Sequence, residues 1–156
     1  MWPTIGIAGA VIGAGLIAVL VLRPIVMRSV EARRRKQARR MFALRREWLE
    51  AEFLSLASKS GKPRGLAWVN CDFENHETLA RDRKTGELKA FVGVTISFDA
   101  IEGGGMEHVE AVGNLRAATA VFSYLNDRWT TDGVALFNVN PTEAIKRFEH
   151  EVELVD

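Results

Sequence analysis

At 156 residues, with 47% hydrophobic side chains and a formal charge of +1, the chain has room for one ordinary domain and no more. Its single cysteine, Cys71, excludes the intramolecular disulfide framework that staples small secreted domains. The small total charge hides a dipole, because residues 1–46 carry ten Lys or Arg against Glu31 alone, for +9, while the remainder carries −8. The basic part is thus addressed to something anionic, and the rest is repelled by the same surface.

No charged residue occurs from Trp2 to Leu22, and Ile5 to Leu22 is almost wholly aliphatic or small. At about 1.5 Å per residue such a run crosses a hydrocarbon core of roughly 30 Å, with Trp2 at the far interface. Arg23, Pro24 and Arg28 follow the run and nothing basic precedes it, the order of an uncleaved anchor rather than of a signal peptide. Lys and Arg stay on the cytoplasmic side, so the expectation is a single-pass inner (plasma) membrane protein with its N-terminus outside and residues 23–156 inside.

Gly13-Ala14-Gly15-Leu16-Ile17-Ala18 matches a dinucleotide fingerprint in letters alone. That motif needs a strand before it and an amphipathic helix after it, whereas here it continues into apolar residues and Arg23-Pro24. Gly6, Gly9 and Gly13 suit close packing of helix backbones in lipid, which implies a homo-oligomer or a membrane-protein partner. No cofactor is expected.

Ser29 is placed to cap a second helix that Gly61 and Pro63 end. Its beginning holds Arg33, Arg34, Arg35, Lys36, Arg39 and Arg40. Directly after a span, such a cluster is drawn to the headgroups of an anionic leaflet by about 1 kcal/mol per residue, which ranks lipid ahead of nucleic acid as its partner. Farther along, Phe42, Leu49, Phe53 and Leu56 form one apolar stripe and Met41, Leu44, Trp48 and Ala51 a neighbouring one, with Arg45 and Glu52 between them.

After residue 65 the hydrophobic period changes from helical to alternating. Strands are expected near Leu66–Phe73 and Thr78–Arg83, and the second forms a hairpin through Lys84-Thr85-Gly86 with Leu88–Phe98. A longer strand is expected near Val109–Leu125, with Leu115, Ala117, Thr119, Val121 and Leu125 on one side, followed by a turn at Asn126-Asp127 and the segment Arg128–Asn138. Asn140-Pro141-Thr142-Glu143 has the pattern of a capped helix start. The chain therefore reads as an α+β protein in three parts. Residues 1–28 are the transmembrane anchor, 29–60 a basic juxtamembrane and amphipathic helix, and 61–156 an antiparallel meander of about five strands with a short C-terminal helix. The amphipathic helix covers the sheet, an order similar in architecture to cystatin-like folds.

The stretch Val92-Gly93-Val94-Thr95-Ile96-Ser97-Phe98 through Glu102-Gly103-Gly104-Gly105-Met106-Glu107, continued by Glu110–Phe122, resembles a family of small uncharacterised membrane-anchored proteins of planctomycete-type bacteria. The resemblance covers residues 62 to about 148. It implies a bacterial inner-membrane setting and transfers no functional residue.

Asp72, Glu74 and His76 alternate and would project to one side, the minimum geometry for a metal site, although hydrophilic residues entering a turn are usually just solvated and no second His is near in sequence. His108 beside Glu107 and Glu110 invites an acid-base role, against which stands simple exposure of a loop after three glycines. No catalytic residue and no metal site is expected from either group. The preferred function is a non-enzymatic module that binds a protein partner or its own copies. The alternative is a small enzyme or ligand carrier with a pocket between helix and sheet, where Asp72, Asn114, Arg116 and Asp132 would have to converge.

Overall fold

Helix α1 runs from Pro3 to Lys59 in the computed structural model, which describes residues 3–60 and 63–155, with side chains from Val19 onward. The chain divides into two units, Met1–Arg40 and Met41–Asp156, and α1 contributes to both. In the first unit the helix continues through Pro24, and Ser29 is not its cap. The Ser29 hydroxyl donates to the Ile25 carbonyl at 3.0 Å instead, the back-bond that a serine makes inside a helix.

In the second unit Phe42, Leu49, Phe53 and Ala57 are buried, which is the helical spacing of one face. The neighbouring stripe stays outside, with Leu44 80% and Trp48 51% exposed. Three residues in four of the first stripe are therefore core, Leu56 is half-buried, and Ala57 completes the face.

Strand β1 spans Leu66–Asp82 and pairs antiparallel with β2, Leu88–Ala100. The two strands expected before the hairpin are thus one, interrupted by bulges. Val69 is an extra residue opposite β2, and Glu74, Asn75 and His76 together face Gly93 alone. The Lys84-Thr85-Gly86 hairpin forms as read, with Gly86 at φ +72 and the Asp82 carboxylate accepting from the backbone N–H groups of Lys84 and Thr85 at 2.9 and 3.1 Å. These bonds, led by Thr85, and the Lys89 ammonium at 3.0 Å hold the Asp82 pKa down at about 2.

A single 3-10 turn at Glu110–Gly113 precedes β3, Arg116–Leu125, so the strand begins later than the sequence suggested. Ala117, Thr119 and Val121 share a face as expected, while the alternate set meets the large core. Ala118, Ala120, Phe122 and Tyr124 are buried, paired in register with Val94, Val92, Ala90 and Leu88, while Leu115 is 68% exposed. Asn126 and Asp127, at φ 48 and 57, make the two-residue turn whose twist suits a hairpin. It leads into β4, Arg128–Thr130, and then β5, Ala135–Phe137, both paired to β3. Helix α2, Pro141–Arg147, carries the full capping box, with the Glu143 N–H donating to Asn140 Oδ1 at 2.8 Å and the Asn140 N–H to Glu143 Oε2 at 3.2 Å.

A short last strand, β6 at Val152–Leu154, crosses back to pair with β1 at Ala80–Asp82. The sheet order is β4-β3-β2-β1-β6, with β5 beside β3. It is a meander of six strands to whose far edge the chain returns through α2.

The sheet has a core on each face. On one, Phe42 meets the edges of Phe122 and Trp129 at 5.3 and 5.0 Å, and Phe53 meets Phe73, Phe122 and Trp68 at 5.6, 5.9 and 6.4 Å. Such ring pairs add to the burial that already drives packing. On the other face Ala80, Phe91, Val139, Ala144, Ile145 and Val152 form a smaller cluster beside Val121, Leu136 and Phe148. Thr119, completely buried, donates its hydroxyl to the Val139 carbonyl at 2.7 Å there.

Candidate functional site

The four polar residues of the pocket alternative are exposed and are not brought together. Asp72 pairs with Thr95 and Arg116 with Ile96. Since Thr95 and Ile96 are consecutive on β2, Asp72 and Arg116 lie on opposite faces of the sheet. Asn114 ends the 3-10 turn, and Asp132 lies between β4 and β5. The Arg116 guanidinium donates to the Ala111 carbonyl at 3.2 Å. Between α1 and the sheet, the rings of Phe42 and Phe53 pack against Phe73, Phe122 and Trp129.

The second bulge breaks the alternation of Asp72, Glu74 and His76 that the metal reading assumed. Among the described residues no group of three His, Cys, Asp or Glu is arranged to hold a metal ion. The Glu74 carboxylate lies where a Cβ on Gly93 would be, so the absence of a side chain at Gly93 makes room for the bulge. Glu107 turns back on its own loop, accepting from the Gly103 N–H. The N–H groups of Glu107 itself and of Gly103 lower its pKa, which keeps it ionised rather than poised to donate a proton. Burial pushes the half-buried Cys71 thiol up to about 11, so it stays protonated and unreactive near neutrality.

Arg46 was overlooked by sequence reasoning. Its Nε donates to Glu50 Oε1 at 2.7 Å, its Nη1 to the Asn75 carbonyl at 2.8 Å, and its Nη2 to the Glu74 carbonyl. Its guanidinium carbon lies 6.0 Å from the Phe42 ring centre. One side chain of α1 thus satisfies two carbonyls that the bulge removes from the strand ladder. The clue was available, because counting about 100° per residue puts Arg46 roughly 20° beyond Phe53 at the edge of that apolar stripe, where an arginine needs partners. Of the two charges singled out instead, Arg45 is exposed and Glu52 half-buried, its Oε2 without a hydrogen-bond partner.

Two surface features remain. A cavity of about 430 Å³ opens beside α2, its lining including Thr78, Ile145, Val152 and Leu154 together with Arg83 and Lys146. Arg83 is already engaged by Glu153 at 3.1 Å and by the Glu149 carbonyl at 2.9 Å. The other feature is the outer side of α1 at Leu44 and Trp48, beside a depression of about 570 Å³ that Ala43, Arg45 and Glu47 complete.

In the first unit, Val19, Leu20, Val21, Leu22, Ile25, Val26, Met27 and Val30 are all exposed, each by more than half. Arg33, Arg34, Lys36, Arg39 and Arg40 are exposed, and Arg35 is half-buried. Among the described residues no helix is long and apolar enough to cross a membrane. The anchor expected at 5–22 falls largely on residues 1–18, whose side chains lie outside those described, as do Gly6, Gly9, Gly13 and Trp2.

No family model, no curated protein and no solved structure matches the chain.

Proposed function

We propose that the chain is a single-pass inner-membrane protein whose N-terminal apolar segment anchors it and whose α+β unit, of cystatin-like architecture, works on the cytoplasmic face as a non-enzymatic module for protein binding or self-association. The observation that carries this reading is the apolar surface of α1 between Val19 and Val30. Val19, Leu20, Val21 and Leu22 occupy a full helical turn and all are exposed, so no side of the helix there is suited to water. Burying such side chains contributes roughly 1.5–3 kcal/mol each, and a lipid core receives all sides at once.

The basic residues that follow support the orientation, since they remain with the cytoplasmic leaflet and its anionic headgroups. The packing of rings between α1 and the sheet supports a module that acts through its surface. Alkaline carbonate extraction of membranes holding the full chain tests the anchor. The chain should stay in the pellet, and the variant Leu20→Asp, Leu22→Asp, Val26→Asp should move to the supernatant. Release of the unaltered chain would overturn the reading.

A further inference from the structure

We propose that the two bulges of β1, at Val69 and at Glu74–His76, are guards on its open edge that keep a strand of a second copy from pairing there. On one side β1 is paired to β2 from Leu66 to Arg81, but on the other β6 covers only Ala80–Asp82. The Val155 N–H carries that cover one residue farther, donating to the Leu79 carbonyl at 3.0 Å. From Leu66 to Thr78, no strand among the described residues pairs with the outer edge. A strand edge left in this way is a template for another chain.

The bulges break the template into short pieces. Paired strands commonly run about five to six residues. With Val69 an extra residue, and Glu74, Asn75 and His76 set against Gly93 alone, no open stretch in one-to-one register is longer than Asn70–Phe73. The core requires neither bulge. Trp68 and Asn70 pair with the consecutive Phe98 and Ser97, as direct neighbours would. Phe73 and Glu77 pair with Val94 and Val92, two apart on β2 and so on one face, which leaves the alternation in phase across the second bulge. The effect of the extra residues therefore falls on the edge. Gly93 leaves the space that the Glu74 carboxylate takes, and Arg46 on α1 takes the Glu74 and Asn75 carbonyls as its acceptors, so they are not offered to an incoming strand. Asp72 and Glu74, both exposed, add carboxylates that repel those of a second copy laid alongside.

Deletion of Val69, or separately of Asn75 and His76 together, joins these stretches without changing which face each remaining side chain takes, and tests the guards in the detergent-solubilised full chain. Each variant should unfold cooperatively in denaturant when dilute and sediment as larger species than the unaltered chain when concentrated. In those species the outward amides of Asn70–Phe73 should exchange about tenfold more slowly than in the unaltered chain. Phe53→Ala, which weakens the core with both bulges in place, separates edge pairing from loss of stability and should sediment like the unaltered chain. A deletion variant that folds and stays at the size of the unaltered chain would overturn the proposal, as would slowed exchange of the same amides in Phe53→Ala. The unaltered chain gives a reading that does not depend on any variant folding. Its exchange at Asn70–Phe73 should be independent of protein concentration, and slowing with concentration would show the edge already paired and the guards absent.

Discussion

The α1 face of the sheet is closed by rings: Phe42 meets Phe122 and Trp129 edge-on, Phe53 meets Phe73 edge-on, and Phe53 meets Phe122 at a tilt. The opposite face is held by smaller groups, Ala80, Val139, Ala144, Ile145 and Val152 around Phe91, and a cavity of about 430 Å³ opens at its margin. The same strands supply both cores. What differs is the cover: α1 lays four buried residues along the sheet, whereas α2 has seven residues in all and buries Ala144 and Ile145. The first face is therefore expected to carry the stability of the unit and the second to open first.

The comparison breaks if mutations on the two faces cost alike. Phe53→Ala should lose about 3–5 kcal/mol of unfolding free energy and Ile145→Ala about 2–3 kcal/mol, measured by denaturant titration. Gly133→Ala should cost about 2–4 kcal/mol although the loop is small. The residue sits at φ +70, and a Cβ would come within 2.6 Å of the Ala57 amide nitrogen and 2.8 Å of Leu56 Cβ on α1, combining left-handed strain with a clash. Arg46→Ala should cost about 1.5–3 kcal/mol by leaving the bulge carbonyls of Glu74 and Asn75 without their charged donor, with Arg46→Lys recovering only part because one ammonium does not reproduce the fork.

Smaller effects sharpen the contrast from the α2 side. Asn140→Ala removes the capping box and should cost about 1 kcal/mol, read as faster amide exchange in Val152–Leu154 with the α1 face unchanged. For Asp82 the folded pKa of about 2 lies below its ordinary value. Its contribution is therefore complete above about pH 4 and is lost as pH falls toward 2. The stability gap between the unaltered chain and Asp82→Asn should narrow across that window, and a gap independent of pH would reject the assignment.

Much of this was legible in the residues where one period or one motif dominated. The alternation of Leu88–Phe98, the Lys84-Thr85-Gly86 turn and the Asn140–Glu143 cap each have a local cause, and each formed. Which side of β3 meets the large core was not legible, because Ala117–Phe122 is apolar or small on both sides and period two does not say which face is core. The polar run Glu74-Asn75-His76 resembles a loop, yet it is a bulge inside one strand, held by an arginine 28 residues away along the chain. β6 has three residues and exists through its pairing with Ala80–Asp82, a tertiary cause that no local pattern records. The surface at Leu44 and Trp48 was visible as a second stripe, but whether a stripe is core or surface depends on which side the sheet takes.

Protease added to intact cells, and separately to inverted membrane vesicles, tests the central claim most directly. Residues 41–156 should survive in the cells and be digested in the vesicles. Digestion in intact cells, or recovery of the whole chain in the soluble fraction, would contradict it.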